Sequence, residues 1–122
     1  MSLFHVAFVA VNPREAARST PPVKALVDTG AELSWIPGDL LASAGISPVR
    51  QRSFRTASGQ VVNRSVGYAI LRAEGFETND EVVFAEPGDI SILGVRTLEG
   101  FGVTVDPVSH RLLPSITIVA AA

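Results

Sequence analysis

Ala25-Leu26-Val27-Asp28-Thr29-Gly30-Ala31 is the stretch on which the reading of this chain turns. A short apolar run stops at an acid, a hydroxyl and a glycine, and apolar residues resume at Leu33, Trp35 and Ile36. Such a run, bounded by Gly and Pro, reads as a buried strand from Val23 to Val27. It delivers the carboxylate of Asp28 where a core strand turns over, a place where an unpaired charge is costly. From spacing alone Asp28 is equally a turn residue closing a strand, with Thr29 and Gly30 as ordinary turn residues.

Working outward, Leu3 to Val11 is nearly all apolar and predicts a strand buried on both faces, stopped by Asn12-Pro13. Residues 14 to 22 are polar, end in a double proline and predict a connection. Leu33 to Ile36 is a further strand closed by Pro37-Gly38, and Asp39 to Ala44 a two-turn helix that Gly45 can end. Arg50 to Thr56, the turn Ala57-Ser58-Gly59-Gln60 and Val61-Val62 read as a hairpin. Val66 to Ala73 and Glu81 to Ala85 are read as two more strands. Ile90 to Leu93 stops at Gly94, Val95 to Glu99 is a second helical piece, and Val103 to Val105 and Arg111 to Leu113 are strands. Pro114 is expected to introduce a last β-rich piece, Ile116 to Val119. Eight or nine short strands and two helical turns predict an all-β, or mainly β, single domain over residues 1–122. Leu26-Val27 and Ile92-Leu93 also echo each other: each apolar pair leads toward a glycine and then a short helical piece.

Composition narrows the chemistry. Hydrophobic residues make up 47% of the chain, which argues against disorder, and no run approaches the roughly 18 apolar residues of a membrane helix. Neither a membrane partner nor a cleaved leader is expected, and the default compartment is cytoplasmic. The absence of cysteine removes disulfides, thiol catalysis and Cys-based zinc sites. The two histidines, His5 and His110, share no ligand spacing and lie near no nucleophile elbow, so neither a serine triad nor a metal site is expected. No phosphate-binding loop is present, and no cofactor is expected. Arg50, Arg52 and Arg55 read as a solvated strand face rather than a nucleic-acid patch. Asp39, Asp80, Asp89 and Asp106 sit in turn-like surroundings, where Asp serves local hydrogen bonding.

Leu26-Val27-Asp28-Thr29-Gly30-Ala31 resembles the active-site motif of retropepsin-like (retroviral-type) aspartic proteases. Ile92-Leu93-Gly94, followed by a helical turn, is similar to that family's second hallmark. The glycine-bearing hairpin lies at the position of its flap, and Val103-Thr104-Val105-Asp106 is similar to its closing strand. The likeness spans residues 3 to 113, and Leu33-Ser34-Trp35-Ile36-Pro37 before a short helix has the flavour of the single-domain bacterial and eukaryotic members. The resemblance implies a closed β-barrel-like fold and a homodimeric aspartic endopeptidase acting on peptide or protein substrates. One Asp-Thr-Gly per chain implies a dyad of Asp28 with its symmetry mate, with Thr29 bracing the pair and Gly30 admitting substrate backbone. Ala31, Glu32, Ala57, Ser58, Gly59 and Ile92 are implied at the substrate, and Trp35 near the cleft. The other reading, from a different class, is a dimerisation or peptide-binding module of the same fold with little or no proteolysis. This chain departs from the viral pattern at two points. Val95 follows Gly94 where those members commonly carry Arg, and Glu32 follows Ala31 where they commonly carry Asp. A Glu32–Arg96 pair is the expected replacement brace, and residues 115–122 are candidates for strand pairing across a dimer.

Overall fold

Six strands of this chain join in a ring of backbone pairings, and the seventh hangs from it. The computed structural model describes residues 4–116. In order they form β1 (His5–Val11), β2 (Val23–Val27), β3 (Ser34–Pro37), α1 (Gly38–Ser43), β4 (Arg50–Arg55), β5 (Val61–Ala73), β6 (Phe76–Ala85), β7 (Ile92–Leu93), α2 (Val95–Phe101), β8 (Val103–Asp106) and β9 (Arg111–Pro114). The main sheet runs β1-β2-β7-β3-β6-β5-β4, and β1 also pairs with β5, which brings the sheet back to its first strand. The two short helices pack against β6, while β8 and β9 form a separate two-stranded ribbon. The fold is mainly β, as composition and periodicity predict.

The two apolar–glycine segments that echo each other are neighbours. β2 and β7 pair in parallel, with Leu26 opposite Ile92 and Val27 opposite Leu93. On its other side β7 meets β3, Trp35 opposite Ile92. The main core gathers Phe8, Ile36, Leu41, Leu71 and Leu93, and a smaller cluster of Leu33, Val66 and Val83 lies beneath Trp35 and Phe54. Burying such side chains is worth about 1.5–3 kcal/mol each.

Several elements differ from expectation. β1 alternates, with His5 and Ala7 exposed and Val6, Phe8 and Ala10 buried, so it covers one face of the core rather than lying between two layers. Val61–Val62 and Val66–Ala73 are one strand of 13 residues. The polar residues Asn63, Arg64 and Ser65 interrupt the apolar pattern there without interrupting the pairing with β4. β6 starts earlier than its apolar run, at Phe76. α2 passes through Gly100 and stops at Gly102, whose φ of +71° is the left-handed geometry that favours glycine at a helix end. Pro114 is the last residue of β9. Ser115 follows with its N–H donating to the Gly102 carbonyl (2.8 Å), and the rest of the expected tail strand lies outside the described residues. No helix among the described residues is long and apolar enough to cross a membrane.

Candidate active site

Asp28 emerges from the end of β2, and its N–H donates to the carbonyl of Leu93 at the end of β7 (3.0 Å). Its carboxylate Oδ1 accepts the N–H of Gly30 (2.9 Å), and its carbonyl accepts the N–H of Ala31 (3.2 Å). A Cβ on residue 30 would stand 3.2 Å from that same Oδ1, so glycine suits this tight return. The sequence predicts a buried acid, but in the structure Asp28 is half-buried and Thr29 and Gly30 are exposed. The turn faces an open cleft rather than the core. Asp28 makes no ion pair among the described residues.

The loop that follows is held from behind. The N–H of Val95 donates to the Ala31 carbonyl (2.8 Å), and the N–H of Arg96 donates to the Glu32 carbonyl (3.0 Å). Gly94 lies so close that a Cβ there would meet the Leu33 carbonyl oxygen at 2.5 Å. Its N–H donates to Ser34 Oγ (2.9 Å), which lies 2.6 Å from Thr97 Oγ1, and the Thr97 hydroxyl donates to Asp80 Oδ2 (2.8 Å).

A cleft of about 740 Å³ opens in front of Asp28. Of the residues implied at the site, Asp28, Gly30, Ala31, Glu32, Ala57 and Ile92 line it. Thr29, Ser58 and Gly59 do not. Ser58 and Gly59 are at the exposed tip of the β4–β5 hairpin, where the Gly59 carbonyl accepts from Arg55 (2.9 Å) and the Ser58 and Thr56 hydroxyls lie 3.0 Å apart. Trp35 and Phe54 meet edge to face at 5.2 Å and supply apolar wall. A second hollow, of about 460 Å³ around the β5–β6 turn, shares no lining residue with the cleft.

Several charges at and near the cleft are paired. Arg64 grips Asp89 through two hydrogen bonds of 2.7 and 2.9 Å and lies 6.0 Å from the Trp35 ring. The Arg64 guanidinium, helped by the Glu86 N–H, holds the Asp89 carboxyl below the usual carboxylate range, and Asp89 in turn raises Arg64. The arginines of β4 are not simply a solvated face: Arg50 (2.8 Å) and Arg52 (3.1 Å) both bond the buried Glu81. Arg96 lies 3.7 Å from Asp80 and 3.6 Å from Glu81, so the expected Glu32–Arg96 side-chain pair is replaced by pairing across α2 and β6. Asp80 belongs to β6 and is buried, not a turn residue. Its signal was present as two adjacent acids leading an apolar run, a pattern that a strand tolerates only when both acids find partners. Among the described residues no cluster of His, Cys, Asp and Glu could hold a metal ion.

A family model described as "gag-polyprotein putative aspartyl protease" matches residues 16–100, the span that carries Asp28, the hairpin, Gly94 and nearly all of α2. The chain belongs to this family. Among solved structures similar to this family member is the solution structure of the simian foamy virus (mac) protease, at 20% identity and a TM-score of 0.51 over 78% of this chain and 91% of that one. The foamy viral protease-reverse transcriptase in complex with an RNA/DNA hybrid matches at 18% identity and a TM-score of 0.51, over 93% of this chain but 13% of that one. Its dRH form in complex with double-stranded DNA matches at 19% identity and a TM-score of 0.51, over 77% of this chain and 15% of the other. These likenesses establish a retroviral-type protease fold. No curated protein matches the chain.

Proposed function

We propose that the chain is an aspartic endopeptidase that works as a homodimer, with Asp28 of each protomer contributing one carboxylate to a shared dyad. The observation that carries this reading is the state of Asp28. It is fixed by the Gly30 N–H, faces an open cleft, and makes no ion pair among the described residues. A two-fold axis places the same residue opposite itself, which is how a chain with one such acid completes a pair. Two carboxylates in contact cannot both ionise cheaply and hold one proton between them. The ionised member takes a proton from a bound water as that water attacks the scissile carbonyl, and the protonated member donates to the carbonyl oxygen. The apparent pKa values belong to the pair.

In this reading Thr29, exposed in the protomer, braces the dyad across the dimer. Gly30 and Ala31 receive substrate backbone, while Glu32, Ile92 and Trp35 contact its side chains. The β4–β5 hairpin, with Ala57, Ser58 and Gly59 at its tip, folds over an extended peptide as a flap. The test is cleavage of a peptide library between about pH 3 and pH 7, a window that spans the loss of the shared proton. Activity is expected to be strongest on the acid side and absent in Asp28→Asn. Equal activity in that variant would sink the assignment. A dimer that binds peptide without cleaving it would favour the binding-module reading.

A further inference from the structure

Ser34, Thr97 and Asp80 come from three elements, and cleft chemistry uses none of them. Ser34 and Thr97 are fully buried, and the Asp80 side chain is 5% exposed. Thr97 has one hydroxyl proton, and it goes to Asp80 Oδ2. The 2.6 Å contact with Ser34 is therefore donated by Ser34, whose own oxygen accepts the Gly94 N–H. The result is a one-way chain: Gly94 N–H to Ser34, Ser34 to Thr97, Thr97 to the Asp80 carboxylate. The Glu81 N–H (2.8 Å) holds the other oxygen of Asp80. Hydrogen bonds in such a series polarise one another, and a carboxylate at the end strengthens each of them.

What the chain holds is the turn from Leu93 to Arg96. That turn makes three backbone hydrogen bonds to the Asp28 loop: from Asp28 N–H, to the Ala31 carbonyl and to the Glu32 carbonyl. Gly94 itself presses on Ala31 and Leu33 with no room for a side chain. We infer that Ser34, Thr97 and Asp80 are positioning residues that lock the Leu93–Arg96 turn to the sheet and thereby set where the Asp28 carboxylate stands. Arg96 adds charge beside the acidic end of this relay. The consequence for rate rests on Asp28 being catalytic; the anchoring of the loop does not.

The test uses the full chain as wild type, T97V, T97S and S34A, with two readouts. The first is kcat and KM on a cleaved peptide; the second is amide hydrogen exchange at Asp28, Val95 and Arg96. T97V keeps the volume and breaks the relay. It is expected to lower kcat about 10- to 100-fold, the scale of a small misplacement at a reacting centre, with KM little changed. Exchange at the three amides should rise about tenfold relative to the core amides of β5, as the loss of a buried hydrogen bond predicts. T97S keeps the hydroxyl and should restore both readouts despite its missing methyl group. Exchange in T97V equal to wild type, or T97S as impaired as T97V, would overturn the inference. Should T97V fail to fold, S34A, which strips the Gly94 N–H of its acceptor, gives the same readouts. If wild type shows no cleavage that Asp28→Asn abolishes, the proteolytic reading fails, and the exchange rates alone decide the relay.

Discussion

Gly94 illustrates how a single residue can be required for space rather than for conformation. Its φ of −92° is open to any residue, yet an added Cβ would overlap the Leu33 carbonyl at 2.5 Å. Gly94→Ala must push the Leu93–Arg96 turn away from the Asp28 loop. We expect it to cost about 3 kcal/mol in urea denaturation, within the range of forced overpacking, and to lower activity beyond that loss. Gly59 is the opposite case: nothing lies within 4 Å of its missing side chain, but its φ is +88°. Gly59→Ala is expected to cost about 1 kcal/mol through backbone strain alone. Asp28 and Gly94 are legible because each punctuates an apolar run, and Gly59 because it sits in a polar turn between two strand-like segments. Which way the Asp28 turn faces is not legible, because a strand that ends in an acid gives no sign of it. Ser34 and Thr97 left no signal, since a buried hydroxyl is recognisable only by partners 63 positions apart.

The cleft wall formed by β5 and the β6–β7 connection carries its own acid resistance. Asp89, drawn down by Arg64 and the Glu86 N–H, stays ionised below the ordinary carboxylate value of 3.8. A depressed folded pKa contributes stability above the unfolded value and loses it as pH falls through the folded one. Asp89→Asn should therefore cost about 1–2 kcal/mol at about pH 6. The gap between the two melting temperatures should then close only as pH falls below 3.8. A gap that closes well above that value would show that the pair does not hold Asp89 down. The arrangement keeps this ion pair charged to lower pH than an unpaired carboxylate would allow. Among the described residues element types were legible, because Gly and Pro mark most boundaries. The length of β5 was not: Asn63, Arg64 and Ser65 look like a break, and only the pairing partners supplied by β4 show that the strand continues. The pairing of β2 with β7 left a trace as an echo of motif, but its parallel register depends on contacts that neither segment encodes alone.

For the molecule as a whole the proposed dyad needs two protomers, and mixing tests it. When wild type and Asp28→Asn are allowed to exchange subunits, activity should follow the square of the wild-type fraction, about a quarter at equal parts, because hybrids hold one acid. Activity that falls in simple proportion would mean that each protomer works alone. The parallel pairing of Leu26 with Ile92 has another consequence, in the order of synthesis. A ribosome delivers Asp28 first, and the carbonyl of Leu93 and the N–H groups of Val95 and Arg96 that frame its loop arrive some 65 residues later, about 3 to 13 seconds at ordinary elongation speed. Through that interval the nascent chain carries the acid without its setting, so the proposed dyad cannot be assembled before residue 96 has been made.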